Sequence, residues 1–494
     1  MTGDDPDVLI VGAGPVGLWL ASELALAGIA TTVVEKRARR TNWSRALTVH
    51  ARTLEVFAMR GAVEPWLAEG VPVPTTHFGM LNSRIDLRGL DSDFPFTLFI
   101  PQLRTEELLE ARARDLGVTI WRPCEVTDLG ADPGGVWVDV TEPAGSSRMH
   151  VRYVVGCDGK HSVVRASAGI AYDGAQDAAG CLLGDVKISP AAGDPDPHAL
   201  TLHAEAGSFY GVRMSGEQYR LIIVEHGPAL VPADTPLDLD EFRTRVKDVM
   251  GTDFGMRDPA WLTRLSSATY QVDRYRAGRV LLAGDAAHVH FPMGGQGLNL
   301  GVQDAMNLGW KLAAVLHGTA PEEILESYHD ERHAAGALVI ENTLSQTAVV
   351  AAPGRPGEAL RDWLDVLLAR YPAVNAEFAR LLSGLGISYT DRVRAEAGTR
   401  VPNHALTDGS HLFDHLHDGR FVAYGVPREG LERGLGPSWS RAVTATAAPS
   451  AEGWHGGGLV RPDGYLAAAA GPEQVLDVVV QTLRRWLPSH ERKQ

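Results

Sequence analysis

Val8-Leu9-Ile10-Val11-Gly12-Ala13-Gly14-Pro15-Val16-Gly17 decides how this chain begins to fold. Four consecutive apolar residues predict a strand covered on both faces. The GxGxxG that follows has three separate physical uses. Gly12 permits a sharp turn, Gly14 lets a diphosphate approach the backbone, and Gly17 lets the next helix pack close to the strand. Val16 to Ala27 predicts that helix, whose first turn offers free N–H groups and a positive dipole end to an anion. Thr31 to Glu35 predicts a second strand, and Glu35 stands 18 residues after Gly17. A carboxylate there accepts hydrogen bonds from a ribose diol and repels a 2′-phosphate. Strand, helix and strand together predict the opening of a parallel, Rossmann-like α/β sheet. The fingerprint alone does not choose between FAD and a nicotinamide dinucleotide. No second GxGxxG occurs.

Outward from this unit the chain divides. Thr105 to Leu116 predicts a helix, and Val118–Trp121, Val136–Val140 and Val151–Gly156 predict strands. From about residue 171 to 275 apolar and polar residues alternate, as in Tyr219 to Val224, which predicts an inserted antiparallel sheet. Arg279 to Gly284 returns to a buried-strand pattern, and helices are predicted over Asn299 to Leu316 and Pro321 to about Val349. Short strands and turns resume after about residue 395. The expected organisation is therefore 1–170 and 276–390 as one split α/β domain, 171–275 as an inserted sheet domain, and 395–494 as a C-terminal module. Pro353 to Glu358 and Ser438 to Gly457 read as the flexible segments.

Composition excludes several classes. The 494 residues carry a net charge of −15 without a basic block, which disfavours nucleic acid as a partner. The early apolar stretch Val16 to Ala30 is too short to span a bilayer and contains Glu23, so neither a membrane span nor a leader is expected. The three cysteines, Cys124, Cys157 and Cys181, form no CxxC and no zinc spacing. They read as reduced thiols in a cytoplasmic protein, monomer or homodimer. His288 and His290 lie two residues apart with no third ligand nearby, so no metal site is expected. One is expected to be structural and the other to face a substrate cavity.

Two later runs complete the pattern: Val154-Val155-Gly156-Cys157-Asp158-Gly159, continuing to Ser162-Val163-Val164-Arg165, and Leu282-Ala283-Gly284-Asp285-Ala286-Ala287-His288, continuing through Pro292 to Gly294-Gly295-Gln296-Gly297-Leu298-Asn299. Taken singly, Asp158 and Asp285 are turn formers beside glycine. In this order, with the fingerprint, the chain resembles the class A flavoprotein aromatic monooxygenases, relatives of para-hydroxybenzoate hydroxylase. Ser44-Arg45-Ala46-Leu47, His50 to Glu55 and Pro101-Gln102 bring it near the aromatic polyketide hydroxylases and rifampicin-type monooxygenases. The motifs span about residues 6 to 350, with a looser likeness through Gly398 to Pro402 and Leu459 to Tyr465.

The resemblance implies bound FAD and a transient NADPH or NADH. It carries the fingerprint set to Gly12, Gly14, Pro15, Val16, Gly17, Glu35 and Lys36. It places Arg45, Gln102 and Val126 along the cofactor, with Asp158 serving both FAD and the nicotinamide donor. Asp285, Pro292, Gly295, Gly297, Leu298 and Asn299 are implied around the ribityl chain and flavin ring, and Arg165 is implied to order its loop. The implied chemistry is hydroxylation of a bulky aromatic small molecule by O₂ through a flavin C4a-hydroperoxide, in a site that excludes water. A C-terminal thioredoxin-like domain is implied too; with no Cys beyond Cys181 it cannot perform dithiol chemistry.

A base would help to deprotonate a phenol. His203, Tyr210, Arg213, Arg220, His226 and His290 are the candidates, each equally readable as an ordinary structural group. Baeyer–Villiger oxygenation and a flavin-containing aromatic-binding protein without oxygenase activity remain open alternatives.

Overall fold

The computed structural model describes residues 5–41, 43–189, 200–228, 231–232, 235–389, 397–436, 439–450 and 456–487. Val8–Val11 lies in the middle of a six-stranded sheet. Across the sheet the order is Arg276–Ala277, Val280–Leu282, Tyr153–Gly156, Val8–Val11, Thr31–Val34, Thr119–Trp121. All pairings are parallel except the Arg276–Ala277 edge. The register sets Val8 against both Thr31 and Tyr153, so Gly12 leaves the sheet beside Cys157. Two helices cover this centre. Pro15–Leu26 and Gln296–Leu316 pack so closely that a β-carbon at Gly309 would lie 2.7 Å from Glu23 Cβ, and one at Gly301 2.5 Å from Val16 Cγ2.

Between Gly156 and Val280 the chain builds five strands of a second six-stranded sheet. Its order is Leu200–Ala204, Gly207–Ser215, Gln218–Pro228, Tyr172–Lys187, Arg257–Val272, His288–Val289, all antiparallel. Alternation sorts its faces. Leu182, Val186, Phe209, Leu221 and Ile223 pack with Phe242 and Val246 of the helix Leu239–Met250. Cys181, Leu183, Tyr210, Ile222 and Val224 face a cavity on the other side. The closing strand, His288–Val289, belongs to the Asp285 segment and pairs with Tyr270 and Gln271. That pairing ties the inserted sheet to the dinucleotide half.

A four-stranded sheet with the order Val443–Thr446, Phe421–Tyr424, Gly457–Val460, Leu466–Ala470 forms the C-terminal module. Helices Arg428–Leu435 and Val475–Trp486 complete its core. A buried network joins it to the rest. Arg461 holds Glu331 with two bonds of 2.6 and 2.8 Å, Lys311 donates to the same carboxylate at 2.8 Å, and Trp310 Nε1 donates to Asp463 at 3.1 Å.

Two readings need correction. Pro353–Glu358 is not a flexible connection: helix Gly354–Arg370 begins there, with Pro356 inside its first turn, where no intrahelical N–H bond is lost. The helix Leu239–Met250 was not expected, because its apolar face is only Phe242, Val246 and Val249 among charged residues. Asp238 caps it by accepting from Glu241 N at 2.8 Å. Among the described residues no helix is long and apolar enough to cross a membrane.

Candidate active site

A cavity of about 2100 Å³ runs from the fingerprint turn to the inner face of the inserted sheet. It gathers residues that are far apart in sequence: Gly12, Gly14, Pro15, Val16, Glu35, Lys36, Arg45, Gln102, Val126, Asp158, Asp285, Pro292, Gly295, Gly297 and Leu298. Gly17 and Asn299 do not line it. A β-carbon on Gly17 would meet Gly12 O at 2.1 Å, so this glycine serves the helix–strand contact. Asn299 is buried and braces the loop: its Oδ1 accepts from His50 N at 2.8 Å and its Nδ2 donates to Thr48 O at 3.1 Å.

The turn residues show why these types stand here. Gly12 has φ +107°, and a β-carbon would lie 2.4 Å from Cys157 O. Glu35 accepts from Ala13 N at 3.1 Å and from Arg37 N at 2.9 Å, which fixes the loop while the carboxylate lines the cavity. Gln102 accepts from Ala46 N at 3.0 Å and so holds the segment that carries Arg45. Arg165 donates to Ala286 O at 3.0 Å and to Lys160 O at 3.0 Å, joining the Asp158 loop to the Asp285 loop.

Three observations bear on whether a flavin dinucleotide suits this cavity. Helices Pro15–Leu26 and Gln296–Leu316 begin at its wall, at Gly14 and Gly295, and neither start has a side-chain cap. Their free N–H groups and dipoles therefore favour negative charge inside the cavity. A β-carbon on Gly14 would find nothing within 4 Å, which leaves a cradle open at that point. Asp158 Oδ2 accepts from Val163 N and Val164 N at 2.8 and 3.2 Å, but its buried Oδ1 has no protein partner. Burial raises this carboxyl above the usual carboxylate range.

The candidate bases separate clearly. His203 bridges Ser208 Oγ at 2.7 Å and Met80 O at 3.0 Å, and His226 meets Ser208 Oγ at 3.0 Å; neither lines the cavity. Arg220 is a buried clamp. It pairs with Asp185 at 2.7 Å and donates to the carbonyls of Arg45 and Ser44, so its charge is neutralised within the protein. Arg213 is exposed and donates to Gly216 O at 2.9 Å. Burial raises the Tyr210 hydroxyl above its ordinary range despite Arg84 beside it, which argues against Tyr210 as a base. His290 differs. Its Nδ1 lies 2.9 Å from Phe291 O and so must be the protonated nitrogen, leaving Nε2 as an unpartnered acceptor at the cavity wall. Burial pulls this imidazole below its usual value, keeping it neutral. His288 is the structural partner, buried on Asp304 at 2.7 Å. Among the described residues no group of His, Cys, Asp and Glu could hold a metal.

His77 and Arg84 also line the cavity, and nothing in the sequence singled them out. They lie in a stretch without regular spacing. His50, noted in the sequence only as part of a motif, has its imidazole pKa brought down to about 4 by burial. The unfolded imidazole titrates near 6.5, so below that pH the unfolded chain gains a proton that the folded one refuses. Stability is therefore expected to fall as pH drops from about 6.5 to about 4, with His50 contributing on the order of 2–3 kcal/mol. Thermal melts across this range check it: His50→Gln must show a shallower slope than the parent.

Comparison with known proteins agrees with this geometry. Residues 5–343 match the FAD binding domain family, and residues 394–489 match the family described as aromatic-ring hydroxylase, C-terminal. An uncharacterized aromatic compound monooxygenase of Bacillus subtilis is 40% identical, covering 97% of this chain and 98% of that protein. The 12-dehydrotetracycline 5-monooxygenase/anhydrotetracycline 6-monooxygenase of Streptomyces rimosus is 39% identical, covering 97% and 98%. The solved structure of an anhydrotetracycline hydroxylase from Streptomyces rimosus superposes with a TM-score of 0.90 at 38% identity, covering 98% and 99%. The fold and site thus define an FAD-type α/β oxidoreductase. The chain belongs to the FAD-dependent aromatic monooxygenase family and is an enzyme of that class.

Proposed function

We propose that this protein binds FAD in the cavity described above and uses a nicotinamide donor and O₂ to hydroxylate a bulky, polyketide-like aromatic molecule. The observation that carries the reading is a single cavity whose wall holds two uncapped helix starts and the inner face of the inserted sheet. A flavin bound here supplies electron transfer and oxygen activation. The chain's own residues do the rest. The start of Pro15–Leu26, with Gly14, takes the diphosphate, and Glu35 takes the ribose. Asp285, exposed at the wall, accepts from the ribityl hydroxyls. The start of Gln296–Leu316 stabilises negative charge at the edge of the ring. The inner face of the inserted sheet excludes water and orients the aromatic ring. His290 Nε2 is the free proton acceptor. The division into 1–170 with 276–390, 171–275 and 395–494 follows from this reading. A thioredoxin-like C-terminal module then serves packing, through the Arg461–Glu331 network.

Two measurements test this. Polycyclic phenols should stimulate NADPH or NADH consumption by the purified flavoprotein; no stimulation by any of them would favour a flavin-containing binder. Asp285→Ala should lower FAD occupancy by about tenfold at limiting flavin, from loss of a hydrogen bond to a charged acceptor. Unchanged flavin absorbance in that variant would contradict the assignment.

A further inference from the structure

The cavity has an uneven charge distribution. Its carboxylates are Glu35, Glu106, Glu125, Asp158 and Asp285, all on the dinucleotide half. Among the described residues, the walls contributed by residues 71–84 and by the inserted sheet hold no carboxylate. They do hold arginines, and two of these are neutralised, Arg220 by Asp185 and Arg264 by Glu241. Arg84 is different. It is half-buried, lines the cavity and pairs with no carboxylate among the described residues.

Arg84 does not stand alone. Its positive charge acts on the Tyr210 hydroxyl, which lines the same cavity. A guanidinium only donates, and a phenol O–H can likewise donate to an anion. The ring of His77 lies 4.9 Å from that of Tyr210. Its Nδ1 accepts from Met80 N at 3.3 Å, which puts the ring proton on Nε2. Burial, aided by Arg84, brings this imidazole down to about 3, so it is a neutral donor. Arg84, Tyr210 and His77 therefore bring a cation and two further donors together at one wall, with no carboxylate there to receive them among the described residues.

We propose that this wall is the receiving site for an anionic oxygen of the substrate, which makes the substrate an acidic polycyclic aromatic: an ionised phenol, enol or carboxylic acid. This rests on the flavoenzyme reading above and narrows its substrate class. Arg84 supplies the charge, and Tyr210 and His77 supply direction. The wall orients the ring system and is a specificity determinant, not the oxygen-transfer machinery.

The test uses the purified flavoprotein and two probes on one ring skeleton, anthraquinone-2-carboxylate and anthraquinone-2-carboxamide. Equilibrium dialysis at neutral pH reads probe binding by quinone absorbance, and flavin content is read separately on the same samples. The parent should bind the carboxylate about tenfold more tightly than the amide. Arg84→Met should bring the two within about twofold with amide binding unchanged, and Arg84→Lys should restore most of the preference. Tyr210→Phe, which retains its packing, should narrow the preference to about threefold. Equal binding by the parent, a preference that survives both Arg84→Met and Tyr210→Phe, or no binding of either probe at about millimolar concentration would overturn the proposal. Flavin retained without the preference refutes the anion wall alone. The preference without flavin refutes the flavoenzyme reading alone.

Discussion

Gly14→Val is expected to give a folded protein that no longer retains FAD. The backbone at Gly14 is extended, with φ −80° and ψ −179°, which any residue adopts. A β-carbon there finds nothing within 4 Å, so the fold has no objection to it. The cofactor does, because the new side chain fills the cradle over the first turn of Pro15–Leu26 where a diphosphate would lie. A loss of about a hundredfold in FAD affinity, near 3 kcal/mol, is expected. Its neighbours must behave differently. Gly12→Ala places a β-carbon 2.4 Å from Cys157 O at φ +107°, and Gly17→Ala places one 2.1 Å from Gly12 O. Both should lower the melting temperature of the apoprotein, whereas Gly14→Val should not. Circular dichroism melts with flavin absorbance on the same samples separate the cases. A folded Gly14→Val protein with full flavin content would remove the diphosphate assignment.

Arg332→Met is expected to be the most destabilising single change near the site, by about 3–5 kcal/mol. Arg332 is fully buried. It donates to Asp304 Oδ1 at 2.7 Å, to Leu300 O at 3.1 Å and to Tyr389 Oη at 2.8 Å. Asp304 in turn accepts from His288 at 2.7 Å and from Gly284 N at 3.1 Å. Against the cost of burial, Arg332 and His288 hold this carboxylate below its usual range. Removing Arg332 leaves a buried anion short of its main counter-charge, directly beneath the Gly284–Asp285 turn. A large drop in melting midpoint should therefore come with reduced flavin content. A midpoint within a degree or so of the parent would show that Asp304 is stabilised without Arg332.

The sequence legible at the site was the part governed by local geometry. Gly12 is demanded by its backbone φ of +107° and Gly17 by its contact with Gly12 O in the same turn, so spacing alone revealed them. Asp158 and Asp285 follow strands that pair as neighbours or near neighbours of Val8–Val11 in the same parallel sheet. A parallel sheet sends the carboxyl ends of its strands to one edge, which makes their convergence readable from order along the chain.

Other assignments could not be made this way. Arg220 looks like a substrate group on an alternating strand, and only packing reveals Asp185 and two carbonyls around it. His203 is likewise taken up by Ser208 and Met80. His77 and Arg84 precede Tyr210 by more than a hundred residues and share no periodicity with it. Sequence by itself determined the dinucleotide turn, the interruption of the parallel sheet by an antiparallel one and the family, because backbone conformation and strand order are local or nearly so. Tertiary structure alone decided which polar side chains stay unpaired in the cavity, because pairing depends on partners from distant segments that only the packed chain brings within hydrogen-bond reach.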